Sequence, residues 1–355
     1  PLPRLHPGVG GQRARHSAGE ARGRGQRNSR SIAGGPRASL KAEAATPVAI
    51  SSWHVGQTPC QNETMSTTTS SFQSNADGTR VTTYTWAETP GQPVGVVEIS
   101  HGLAEHGERY DRFARALNAA GFIVHAVDHR GHGRTAGGKL GDFGSAGFGG
   151  LIADVAQFGA LLRAQHGPQL PVFLFGHSMG SFAAQAAILD HSATWSGVIL
   201  SGSTALDLFA AAMANAPADA PAGLAAFNAG FEHRTGYEWL SRDAAEVDAY
   251  VADPWCGWDV PPDVIPSLFA PAPRLADPAL LARIRSDLPI LIASGDADPL
   301  AAGGVLLEQL GQRYRDAGVA DVTVKLYPAA RHEILNETNR DEVTGDIVAW
   351  LSARV

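Results

Sequence analysis

A hydroxyl that attacks a carbonyl needs a base to take its proton, a carboxylate to orient that base, and donors for the oxyanion that forms. The chain carries residues of each type in a usable order. Gly176-His177-Ser178-Met179-Gly180 fits the pattern G-x-S-x-G. It follows an apolar run at 171–175 and opens an alanine-rich stretch, the strand–turn–helix setting that the pattern requires. So tight a turn holds the serine in strained backbone angles, and the flanking glycines let strand and helix approach. Such turns also occur without chemistry, so the reading rests on partners further along the chain. The apolar run 288–294 ends in Gly295-Asp296-Ala297-Asp298-Pro299-Leu300, and the run 321–327 ends in Pro328-Ala329-Ala330-Arg331-His332-Glu333. Catalytic groups gather at the carboxyl ends of strands in open α/β sheets, and the order nucleophile, acid, histidine is the one this turn demands. Ser178 is therefore the expected nucleophile and His332 the base. Asp298 and Asp296 both remain candidates for the acid, with Asp298 favoured because it reaches further round the turn. The backbone N–H groups of Leu103 and Met179 are the candidate oxyanion donors.

The elements that must hold these groups alternate. Strand-like runs at 80–86, 93–100, 122–127, 171–175 and 197–200 interleave with helical patterns at 108–120, 151–166 and 179–190. This is the signature of an α/β fold with a mainly parallel sheet flanked by helices. The alternation stops over 203–286, a stretch rich in Ala and Pro with aromatic residues at Phe209, Phe227, Phe231, Tyr237, Trp239, Tyr250, Trp255, Trp258 and Phe269. It resumes with strands at 288–294 and 321–327 and helices at 304–317 and 339–353. The expected organisation is a core of 78–202 and 287–355 interrupted by a helical lid at 203–286, with 1–77 as an unfolded leader and amino-terminal segment.

Charge also divides the chain near its amino terminus. Residues 1–64 hold nine Lys or Arg against three acidic residues, a net of +6, which leaves −13 for residues 65–355 within the chain's total of −7. An acidic body does not attract phosphate backbones, so nucleic acid is not an expected partner. The leader reads as sequence upstream of a natural start at Met65, with a transit peptide or a basic arm as rival readings. No run approaches the ~20 apolar residues of a membrane-spanning helix. Two cysteines, Cys60 and Cys256, imply no disulfide framework, and a cytoplasmic protein is the expectation.

Five segments carry a family resemblance: 101–110 (HGLAEHGERY), 126–135 (AVDHRGHGRT), 175–181 (FGHSMGS), 294–300 (SGDADPL) and 330–337 (ARHEILNE). Together they resemble the α/β-hydrolase superfamily and, within it, the monoacylglycerol lipase and lysophospholipase-like serine hydrolases. The resemblance implies a triad of Ser178, Asp298 and His332, oxyanion donors at Leu103 and Met179, and a lid that shapes an acyl pocket. Residues 231–258 resemble the lids of bacterial members.

His101, His106, His125, His129, His132 and His177 raise the question of a metal. No Cys joins them in a recognised spacing, and H-E-x-x-H is absent, so no metal is expected. No phosphate-cradling glycine loop follows the first strand, and no cofactor is expected either. The predicted activity is hydrolysis of a small acyl ester through an acyl-enzyme. The same residues would also serve an amidase, an aminopeptidase or a perhydrolase, and a non-catalytic binding protein on this scaffold is the remaining rival.

Overall fold

The computed structural model describes residues 67–215 and 223–355. Eight strands form one sheet in the order β1-β2-β4-β3-β5-β6-β7-β8. They are β1 (Thr68–Gln73), β2 (Arg80–Trp86), β3 (Gly95–Ser100), β4 (Phe122–Val127), β5 (Val172–His177), β6 (Gly197–Ser201), β7 (Ile290–Gly295) and β8 (Val322–Tyr327). β1 and β2 pair antiparallel and β2 runs antiparallel to β4, while every pairing from β4 to β8 is parallel.

β3 to β7 are buried at every position, as parallel strands must be when helices cover both faces. The period of two then sorts their side chains. Val96, Leu174, Leu200, Ile290 and Ile292 join a cluster with α2 (Gly147–His166), α3 (Met179–His191) and α9 (Val305–Asp316). Val97, Ile99, Phe173, Phe175, Leu291 and Ala293 join a second cluster with α1 (Asp111–Ala119) and α10 (Arg340–Ser352). The mainly parallel sheet expected from sequence is present, with its helices in two layers.

The amino-terminal boundary needs correction. The expected core began at residue 78, but β1 lies ahead of that boundary, in the amino-terminal segment that followed the leader, and pairs with β2 from Thr68↔Thr85 to Gln73↔Arg80. Its sequence, TTSSFQ, has no apolar period because its face is largely exposed. Register comes from backbone pairing and from Phe72, which stacks on Phe158 at 5.4 Å. The readings of residues 1–64, including a start at Met65, lie outside the described residues.

Between β6 and β7 the described residues contain no strand. They form α4 (Leu206–Ala214), a 3-10 turn (Gly223–Asn228), α5 (Ala244–Ala252), α6 (Val264–Leu268), α7 (Ala272–Leu275) and α8 (Pro278–Leu281). This helical insert is the feature for which a lid was expected.

Candidate active site

Ser178 stands between β5 and α3 with φ 51° and ψ −121°, left-handed backbone that a side chain adopts only under constraint. The constraint is visible. Its N–H donates to the Ser201 carbonyl at 2.9 Å, and its own carbonyl accepts from the Ser181 and Phe182 amides and from Ser181 Oγ at 2.6 Å. A Cβ on Gly180 would collide with the Ser100 carbonyl, so only glycine lets α3 start this close to β3.

β7 and β8 deliver the other two groups. His332 Nδ1 lies 2.9 Å from Asp298 Oδ2. Asp298 Oδ2 also accepts from Ser294 Oγ at 2.6 Å, and Oδ1 from the Leu300 amide at 2.9 Å. Burial pushes this carboxyl upward, but the His332 charge and these hydrogen bonds outweigh it and leave it below the usual range. His332 responds in the opposite sense: burial pulls it down, and the nearby Asp298 carboxylate more than restores it, so its pKa is raised. The other ring nitrogen, Nε2, is buried without a partner among the described residues. Asp296, the alternative acid, accepts instead from the Ala329 amide at 2.6 Å. It fastens the turn after β8, and Asp298 alone of the two meets the histidine.

Ser178 and His332 line one pocket together with Gly102, Leu103 and Met179. The insert supplies Phe209, Leu224, Phe227, Trp239, Leu268 and Phe269 to the same pocket, so its walls are mainly apolar. Counted out to open solvent, the space amounts to about 630 Å³. Trp239 also packs on the His332 ring at 4.8 Å, as does His177 at the same distance.

A buried polar group that brings Glu105 and Glu333 to the pocket lining was not singled out from sequence, although its members lie inside the segments 101–110 and 330–337. Glu105 accepts from the Gly102 amide, from Tyr110 Oη at 3.0 Å and from Arg109 at 2.7 Å. Arg109 also grips Glu333 through two bonds of 2.7 and 2.8 Å. Burial pushes both carboxyls upward, and the Arg109 charge overrides it and leaves both below the ordinary range. The loop that carries Leu103 is thereby tied to the loop that carries His332. The neighbouring histidines are structural: His101 Nε2 accepts from the His129 amide at 2.9 Å, and His132 Nε2 from the Ala104 amide at 3.2 Å.

Residues 91–339 match the family model described as serine aminopeptidase, S33. The chain belongs to this family of hydrolases. The hydrolase is 29% identical over 290 residues to a monoacylglycerol lipase of Mycolicibacterium smegmatis, covering 77% of this chain and 93% of the relative. It is 30% identical over 297 residues to the monoglyceride lipase of Rattus norvegicus, at 79% and 89% coverage. Among solved structures, a thermostable carboxyl esterase from Bacillus coagulans, crystallised with glycerol, superposes with a TM-score of 0.71 at 29% identity, over 82% of this chain and 99% of that one. The resemblance carried by the five sequence segments therefore holds, and the hydrolase is one that cleaves carboxylic esters. No helix among its described residues is long and apolar enough to cross a membrane.

Proposed function

We propose that the hydrolase cleaves monoacylglycerols and similar medium-chain acyl esters through an acyl-enzyme on Ser178. The observation that carries this reading is the buried Asp298–His332 pair opening, beside a strained serine, into a pocket walled by apolar residues of the insert. Asp298 holds the ring with its proton on Nδ1, which leaves the Nε2 lone pair as the base. Ser178 Oγ adds to the acyl carbonyl as its proton passes to Nε2, and the carbonyl π pair becomes the oxyanion. The Leu103 and Met179 amides donate to that oxygen. Collapse breaks the bond to the alkoxy oxygen, which leaves as glycerol with the proton from Nε2. Water then repeats the sequence on the acyl-enzyme and releases the fatty acid.

The insert acts as the lid of this site. Its phenylalanines receive the acyl chain, each methylene contributing up to ~0.8 kcal/mol until the pocket ends. Preference should therefore rise from acetate to esters of roughly C4 to C10 and then fall. Monoesters of glycerol should surpass triacylglycerols, whose bulk a covering insert excludes. Both carboxylates among the described lining residues, Glu105 and Glu333, are held by Arg109, which leaves neither free for the ammonium of an aminopeptidase substrate. Measuring kcat/KM on acetate, butyrate, octanoate and palmitate esters, with aminoacyl anilides alongside, tests the reading. A steady decline from acetate onward, or preference for the anilides, would remove the lipase-like part. Ser178→Ala should remove turnover by several orders of magnitude while the protein stays folded.

A further inference from the structure

Three donors of different chemistry meet where the insert joins the core, none of them among the residues that line the serine's pocket. A ring nitrogen of His106, a carboxylate oxygen of Asp253 and the Cys256 sulfur lie within 4.8 Å of one another. His106 follows the loop that carries Leu103, while Asp253 and Cys256 sit on the turn after α5. The histidine and the aspartate are 147 residues apart in sequence and 2.9 Å apart through Nε2 and Oδ2. His106 is 6% exposed in its side chain, yet its Nδ1 has no partner among the described residues. Cys256 is likewise buried, whereas Asp253 is 30% exposed and gives solvent a way in. Trp255 closes one side with its ring edge-on to His106 at 5.2 Å. No metal was expected from sequence because no cysteine stood near the histidines, and the fold supplies one.

We propose that His106, Asp253 and Cys256 form a binding site for a thiophilic divalent cation of the zinc class. Imidazole nitrogen, thiolate sulfur and carboxylate oxygen are the donor mix that zinc accepts, and three protein ligands leave a fourth position for water. Bond lengths of about 2.0–2.3 Å put tetrahedral donors roughly 3.3–3.8 Å apart, so the His106–Asp253 pair, now at 2.9 Å, opens slightly while separations nearer 4.8 Å close by about 1 Å around the ion. Protons balance. The proton now shared by Nε2 and Asp253 moves to the free Nδ1, and the thiol proton leaves to solvent. One cation, one carboxylate and one thiolate then sum to zero charge, which suits a site this buried. Binding releases the thiol proton, so affinity rises with pH. The bound ion fastens the turn after α5 to the loop preceding α1. The site is independent of the substrate proposed for Ser178.

The test uses the full chain with Cys60→Ser, which leaves Cys256 as the single thiol, and cobalt(II) as an optical probe. One equivalent of cobalt should produce a thiolate-to-metal charge-transfer band that Cys256→Ser abolishes. Asp253→Asn and His106→Ala should each weaken cobalt binding at least ~10-fold, the scale on which ligand shells act. Zinc should displace the cobalt band, and at about a hundred times its dissociation constant should raise Tm by about 5 °C in the parent but not in Cys256→Ser. Circular dichroism of each metal-free variant separates loss of a ligand from loss of fold, and Asp253→Asn decides if His106→Ala does not fold. Absence of the band at millimolar cobalt, or a band indifferent to the Asp253 and His106 changes, would overturn the proposal.

Discussion

Asp296 and Asp298 differ by two positions and by everything their carboxylates touch. The sequence places both in one turn, and their partners after β8 separate them: Asp296 holds the Ala329 amide and Asp298 meets the His332 ring. Asp298→Asn should lower kcat by about 10⁴ by favouring the wrong His332 tautomer, whereas Asp296→Asn should cost turn stability and little rate. Steady-state kinetics on the two variants checks this, and the reverse ranking would transfer the role. Because Asp298 raises the His332 pKa, the acid limb of kcat/KM should fall at a pH above the ordinary imidazole value of 6.5. Turnover is lost as pH drops through that limb, since the base must be neutral to accept a proton. Glu98 offers a second titration, remote from catalysis. It is buried in the middle of β3 with Trp195 Nε1 as its donor at 2.8 Å, and burial pushes its pKa up to about 8. The folded chain thus keeps a proton that the unfolded chain releases near 4.5. Stability from this group is complete below 4.5 and erodes as pH rises to 8, by about 1.4 kcal/mol for each unit of displacement. Glu98→Gln should flatten that decline, read as the difference between urea midpoints at about pH 5 and about pH 8.

Among the elements, those with a strong period were legible and β1 was not. The strand at 122–127 and the segments around β5 and β7 are visible in sequence because burial on both faces demands unbroken apolar runs, while β8, half-buried at the sheet edge, shows as an alternation of apolar and polar residues. β1 is polar and exposed, so its pairing leaves no trace in hydropathy. What secures it is an arginine inside the segment 126–135, whose partners no motif shows. Arg130, 1% exposed, reaches from the loop after β4 to Asp154 of α2 at 2.6 Å and to Asp77 at 2.7 Å and Ser74 at 2.7 Å in the turn after β1. Arg130→Met should cost about 3–5 kcal/mol, because it strands two carboxylates that depend on one cation. Removing residues 1–77 should cost a comparable amount by deleting half of the same cluster. Denaturant midpoints measure both, and an unchanged midpoint for either would detach β1 from the stability of the sheet.

For the whole molecule, the insert was legible as an interruption, but its fastening was not, since the contacts join residues far apart in the chain. Arg331, next to the candidate base, donates to the carbonyls of Glu238 and Ser241 at 2.6 and 3.0 Å and lies over the Phe231 ring at 4.7 Å. Arg242 and Glu337 pair at 2.7 Å nearby. Arg331→Ala should raise KM for octanoate esters several-fold with a smaller change in kcat, because hydrogen bonds from a charged donor are worth about 1.5–3 kcal/mol and here they hold pocket wall rather than reacting atoms. Equal losses in kcat for acetate and octanoate would argue that Arg331 serves the chemistry directly.

The close approaches at Gly180 and Gly295 bear on how such a protein can diversify. A methyl group at either position would strike main-chain oxygen, of Ser100 in one case and Ala330 in the other, and main chain cannot step aside as a flexible side chain can. The floor of the site therefore admits one residue at each of these points, while Phe209, Phe227 and Phe269 of the wall meet only other side chains in their aromatic contacts. Random libraries directed at the wall should yield many folded members with shifted chain-length profiles, and libraries directed at the two glycines should return almost none. Innovation in this scaffold is confined to the walls.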